Sequence, residues 1–219
     1  MATLADFLPD VQPHCDGVPI PVAERAVLHA AREFCSKSGY WREDELFETV
    51  TDESATGEYT LTPAAGTELA TVVTPIMHAS KPVYLKNEEW LTENYRETWR
   101  ALTGEQAQFF TMTAKTVVRL VPYPLTAVAN DLRVTKILRP SLTSPVVDAT
   151  VLADFSEQIG FGAIARLKAM PGKTWTDLDT VDAYLARFED GISEAKSRAI
   201  AKWQDRTHQR GRRTQGLYF

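Results

Sequence analysis

The spacing of apolar residues changes twice along this 219-residue chain. Near the start, Ala23, Ala26, Val27, Ala30 and Phe34 recur at steps of three and four, which line one face of a helix. After Gly39 the step becomes two, with Thr, Val and Tyr alternating between turn-forming clusters. From Phe155 onward the helical step returns and persists to Trp203. A helix with one apolar stripe must bury that stripe against another element, so the helical ends have to pack together while the middle folds as its own layer. The pattern predicts an α+β chain: an α-helical bundle of one N-terminal and two C-terminal helices, residues 1–40 and 146–207. An antiparallel β domain, residues 41–145, is inserted into it, and an extended C-terminal tail, 208–219, follows.

Local signals sharpen these bounds. The prolines of "LADFLPDVQPHCDGVPIP" allow a short helical turn near Leu4–Leu8 and then an extended connection. Pro21 suits a first helical turn, where its missing N–H has no intrahelical acceptor, and Gly39 suits a helix end. This predicts a helix over Val22–Ser38. "ELFETVTDESATGEYTLT" reads as strand, turn, strand, and "AQFFTMTAKTVVRLVPYP" as a hairpin. "NEEWLTENYRETWRALTGE" reads as a short helix and "NDLRVTKILRPS" as a last strand. Pro75, Pro82, Pro122, Pro124 and Pro140 mark strand ends or edges. In the first C-terminal helix, Gly160 and Gly162 each cost about 1 kcal/mol relative to alanine, so a close approach by a neighbouring helix is expected there. The last helix repeats its stripe through Tyr184, Leu185, Phe188, Ile192, Ala195 and Ala199, and Gly211 reads as its break. The bundle core is expected around Phe34, Ile159, Leu167, Tyr184, Phe188 and Ile192.

Charge is uneven. Residues 1–150 hold 13 Lys/Arg against 20 Asp/Glu, whereas 151–219 hold 11 against 9. The last segment concentrates Lys196, Arg198, Lys202, Arg206, Arg210, Arg212 and Arg213 around a single acid, Asp205. A basic end on an acidic body can engage nucleic acid or an acidic protein surface. The apolar runs are too short for a membrane span, the opening residues lack the pattern of a secretory leader, and Cys15 and Cys35 fit free thiols.

Chemistry-bearing motifs are sparse. "MPGKTWTD" holds the Gly-Lys-Thr end of a phosphate-binding loop, but the first glycine of that motif would fall at Leu167, and a helical pattern precedes it where a strand is required. The bland reading is a corner: Pro171 and Gly172 stop one helix, and Thr176 caps the next with Asp179 completing a capping box. His14-Cys15 lacks the spacing of a metal-ligand pair, and His78 has no partner legible in sequence. Glu43-Asp44-Glu45 reads as a solvated loop, with an acid–base couple as the lesser alternative. Trp90, Tyr95 and Trp99 read as the edge of a core, with base or sugar stacking as the lesser alternative. No catalytic, cofactor or metal residue is expected.

Five stretches, "LPDVQPHCDGVP", "AAREFCSKSGYWRE", "GEYTL", "AIARLKAMPGKTWTD" and "AYLARFEDGISEAKSRA", resemble the head-to-tail adaptor (connector) proteins of tailed bacteriophages. The resemblance covers about half of the chain and is concentrated in the first and last two helices. It implies a structural protein of the virion neck, not an enzyme, forming a ring of twelve subunits between the portal protein of the capsid and the nozzle or tube protein of the tail. Double-stranded DNA would pass through the channel without specific binding, and the subunit would need neither cofactor nor membrane. It further implies that the long last helix is the bundle spine and that the end of the chain is a portal-contacting arm, with Arg210, Arg212, Arg213, Leu217, Tyr218 and Phe219 as the contact residues. That arm is expected to be disordered until it docks. An acidic body suits a channel through which DNA slides, because many phosphate contacts would hold it. Two alternatives remain: a nucleic-acid-binding protein using the basic end, or a ligand-binding or enzymatic β domain.

Overall fold

The computed structural model describes residues 2–49, 57–124 and 128–214, and their side chains except those of 49, 128–130 and 202–214. Its helices, besides short 3-10 turns, are α1 (Leu8–Val11), α2 (Ile20–Ser38), α3 (Glu88–Tyr95), α4 (Ala149–Lys168) and α5 (Leu178–Thr214). Its strands are β1 (Arg42–Thr49), β2 (Glu58–Thr60), β3 (Thr67–Val72), β4 (Ile76–His78) and β5 (Lys81–Leu85). They continue with β6 (Thr103–Gly104), β7 (Phe109–Ala114), β8 (Val117–Val121), β9 (Tyr123–Pro124) and β10 (Val128–Pro140). The fold is mixed α+β with a largely antiparallel, nearly closed sheet. Two compact units divide the chain: Met1–Trp41 with Ala65–Glu68 and Leu138–Phe219, and Arg42–Ala64 with Leu69–Ile137.

In the helical unit, α2 begins with Pro21 in its first turn and ends at Gly39, whose φ of 58° gives the left-handed cap that returns its N–H to the Cys35 carbonyl. The buried stripe is Ala23, Ala26, Val27, Ala30, Ala31 and Phe34. Helix α4 is capped by Asp148, whose carboxylate accepts the Thr150 N–H at 2.8 Å. It kinks at Phe155 (φ −143°, ψ 22°), and that ring lies 5.2 Å from Phe34 and 4.9 Å from Tyr40.

The two glycines of α4 meet neighbours. A Cβ on Gly162 would lie 2.7 Å from the Phe188 ring of α5, and one on Gly160 would lie 3.1 Å from the Asp10 Cβ of α1. On α5, a Cβ at Gly191 would lie 2.5 Å from Gln158 of α4. Two glycines, one from each helix, thus let α4 and α5 approach more closely than any side chain permits.

In the β unit, the sheet runs β1-β10-β4-β5-β7-β8-β2, with β3 also on β10. The one parallel pair on that path is β5 with β7. The two strands expected within residues 45–62 form as β1 and β2, each paired with a distant strand, β10 and β8; the turn expected between them falls on 50–56, outside the described residues. The two strands face one another across the core, with Phe47 and Tyr59 rings 5.7 Å apart, and the Glu45 carboxylate accepts the Thr62 N–H at 3.2 Å. The β7–β8 hairpin forms where its alternation placed it, with Phe110, Val118 and Leu120 buried in the main core. Phe109 and Val121 turn to the other face, where Leu91, Trp99, Trp90 and Tyr95 cover them.

The tail is corrected. Helix α5 runs through Gly211 to Thr214, so residues 208–214 are helical and not extended. One glycine costs about 1 kcal/mol in a helix, which the strong helix formers around it (Gln209, Arg210, Arg212 and Arg213) are suited to offset. Residues 215–219, including Leu217, Tyr218 and Phe219, lie outside the described residues.

Candidate assembly surfaces

Helix α5 is 37 residues long, roughly 55 Å at 1.5 Å per residue. Its buried positions among the described side chains are Phe188, Gly191, Ile192, Ala195 and Ala199, a stripe against α4 and α2. Charge is divided along its length. Residues 178–195 carry five acids and one base, and 196–214 carry seven bases and one acid. That order suits the helix dipole, positive at the start and negative at the end. It also leaves the last turns strongly basic, with Arg210, Arg212 and Arg213 all on helical backbone.

Of the residues expected in the helical core, Phe34, Ile159, Leu167, Phe188 and Ile192 are buried together. Tyr184 is half-buried at the edge of that core, its hydroxyl 3.3 Å from His14 Nδ1 and its ring 5.9 Å from Phe161. Arg187 lies over both of those rings.

The corner between α4 and α5 is built differently from the expected capping box. The hydroxyl of Thr176 accepts the Lys173 N–H at 3.0 Å and donates to the Met170 carbonyl, so it ties the turn and not the helix start. The residue before α5 is Asp177. Its carboxylate accepts from Thr180 Oγ1 at 2.8 Å and from Lys168 Nζ at 2.9 Å. Those bonds, from Lys168 first and then Thr180, hold the Asp177 carboxyl below its usual range, and the same contact raises Lys168. Gly172 supplies a left-handed φ of 69° in the turn. Lys173 sits on this exposed turn and no strand leads into it, so the arrangement of a phosphate-binding loop is absent there.

Beside the corner, Pro21, Val22 and Ala26 of α2 and Met170 after α4 form a groove of about 530 Å3, with Arg25, His29 and Arg166 on its rim. Arg166 is fixed: it donates to the Gly162 carbonyl at 2.7 Å and pairs with Glu33. Burial pushes the Glu33 carboxyl up, but Lys37 and Arg166 together outweigh that and hold it low. Arg25 and His29 are exposed, and neither has an ion-pair or hydrogen-bond partner among the described residues.

The β unit carries three polar features that sequence reasoning missed. Glu43, Asp44 and Glu45 stand on β1 and not in a solvated loop. Glu43 and Glu45 flank the buried Lys136 Nζ at 3.3 and 2.9 Å, and the Thr62 carbonyl accepts from it at 2.6 Å. Asp44 pairs with Arg133 at 3.0 Å. His78 is buried, its Nδ1 accepts the Ala107 N–H at 3.1 Å, and its Nε2 lies 3.2 Å from Asp131, too far off axis for a good hydrogen bond. Burial pushes His78 down, against the opposing pull of Asp131. Each pairing joins residues far apart in sequence, and only the strand register reveals it. The aromatic trio stands at the edge of a core: Trp99 is buried with its indole N–H 3.2 Å from Thr92 Oγ1, and Trp90 and Tyr95, half-buried, pack on Phe109.

Both thiols are buried, and burial pushes Cys35 up to about 12. Among the described residues no three His, Cys, Asp or Glu side chains are grouped to hold a metal ion, and no helix is long and apolar enough to cross a membrane. No protein-family model and no curated protein matches the chain.

Proposed function

We propose that the chain is a structural subunit of a phage neck, a ring-forming adaptor that joins the capsid portal to the tail and lets DNA pass. In this reading α2, α4 and α5 are the bundle into which the β unit is inserted, α5 is its spine, and the ring holds twelve copies. The reading rests on the resemblance of the helical segments to head-to-tail adaptors. The structural observation that supports it is α5, a single long helix locked to α4 by Gly162 and Gly191, with its basic residues gathered at the far end. A rigid helix with a charged end suits the delivery of one contact to an acidic surface, which is a task for an assembly part.

Native mass spectrometry of the protein, alone and mixed with portal rings, tests the proposal. The expected result is a species of twelve copies on the portal and little or no ring alone, because the described surface shows only scattered exposed apolar residues. A stable dimer in both conditions overturns it. Strong DNA binding at physiological salt, lost on removing residues 206–219, would favour the nucleic-acid alternative.

A further inference from the structure

The groove between α2 and the end of α4 is open, apolar at its floor and cationic at its rim, and one other surface of the helical unit complements it. Leu178, Asp182, Ala186 and Asp190 stand four residues apart on α5 and are all exposed, so they form one continuous ridge of that helix. Leu178 is the most exposed large apolar side chain among the described residues, at 66 %. Asp182 and Asp190 have no ion-pair or hydrogen-bond partner among the described residues, and neither has Asp179 beside them. On α2, Pro21, Arg25 and His29 also stand four apart and exposed. Ridges of this spacing pack into the grooves between their counterparts on another helix.

We propose that the α2–α4 groove of one copy receives the Leu178–Asp190 ridge of α5 from a second copy. Leu178 and Ala186 meet the floor at Val22, Ala26 and Met170, and Asp182 and Asp190 meet Arg25 and His29. Unpaired acids then face unpaired bases, and the leucine leaves water for an apolar floor. The two surfaces share no residue, so the contact joins different faces of the two copies. Such a contact is heterologous and repeats head to tail until it closes. The inference rests on the ring reading above and names the surfaces through which the ring would form.

Disulfide trapping at high protein concentration tests it, using the full chain in two forms with one added cysteine each, His29→Cys and Ala186→Cys. The native thiols are buried and do not compete. The mixture is expected to yield mixed dimers, and neither form alone is expected to yield its own. Arg25→Glu in the His29→Cys chain is expected to lower trapping about tenfold, the effect of losing one close charge pair. Asp182→Arg in the other chain is expected to restore it. Sedimentation at the same concentration separates the failures. Oligomers without selective trapping, or with trapping indifferent to charge reversal, overturn these surfaces and leave the ring standing. Neither oligomers nor trapping, alone or on portal rings, overturns both.

Discussion

At Gly162 a single hydrogen atom decides how closely two helices pack. Sequence reasoning found the cost of a glycine there and inferred a neighbour; it had no means of naming Phe188, which lies 26 positions away (188 against 162) on the next helix. Gly162→Ala raises helix propensity, worth about 1 kcal/mol, but drives a methyl into the Phe188 ring, and overpacking of that kind costs about 1–3 kcal/mol. The expected outcome is a net loss of stability in urea denaturation, and a stabilised variant would show that the helices can shift apart freely. His78 carries a second expectation. Its buried ring is held neutral with Nδ1 accepting the Ala107 N–H, so the proton sits on Nε2, and burial depresses its folded pKa below the unfolded value. The unfolded chain therefore binds the proton more readily. The contribution is present above the ordinary histidine pKa near 6.5 and is lost as pH falls through the lower folded value. Thermal unfolding of the β unit is expected to weaken below that range, and His78→Gln is expected to flatten this part of the pH profile.

Elements whose signals are local were legible. Pro21 and Gly39 bound α2, and the alternation through Phe109, Thr111 and Thr113, then Val117, Arg119 and Val121, placed the β7–β8 hairpin. Elements defined by distant partners were not. The residues of β1 and β2 read as strands, but their ladder partners, β10 and β8, lie far away in sequence and no local signal names them. The Lys136 cluster was hidden for the same reason. Helix ends are a finer case: Thr176 and Asp177 are adjacent and both suit a cap, and only the geometry assigns the turn to one and the helix start to the other. Thr176→Ala removes the two bonds that tie the α4–α5 corner and is expected to cost about 0.5–2 kcal/mol, read by chemical denaturation. Lys173→Ala, which would cripple a phosphate-binding loop, is expected to leave stability within about 0.5 kcal/mol. A measurable ATP affinity abolished by that substitution would refute the corner reading.

For the whole molecule, the decisive feature is where charge and apolar bulk gather. Under the proposed function the end of α5 and the residues after it dock on the portal. Arg210, Arg212 and Arg213 steer the end toward an acidic groove, and Leu217, Tyr218 and Phe219 fill it; each of those side chains contributes roughly 1.5–3 kcal/mol when buried. Any ordering on docking offsets part of that gain, and residues 208–214 are helical before it, so their backbone does not add to that cost. The remainder per subunit is modest, and a ring engages many copies at once, so effective concentration multiplies it. Contacts led by arginine weaken as salt screens them. Residues 210–219 lie beyond Ala199, the last buried position among the described side chains of α5. Deleting them is therefore expected to leave the thermal unfolding of the free protein nearly unchanged while blocking its incorporation onto portal-bearing capsids. Raised salt is expected to weaken incorporation of the intact chain in the same assay. Normal incorporation of the shortened chain would sink the docking role, and a large drop in its unfolding temperature would show that the end of α5 serves the fold instead.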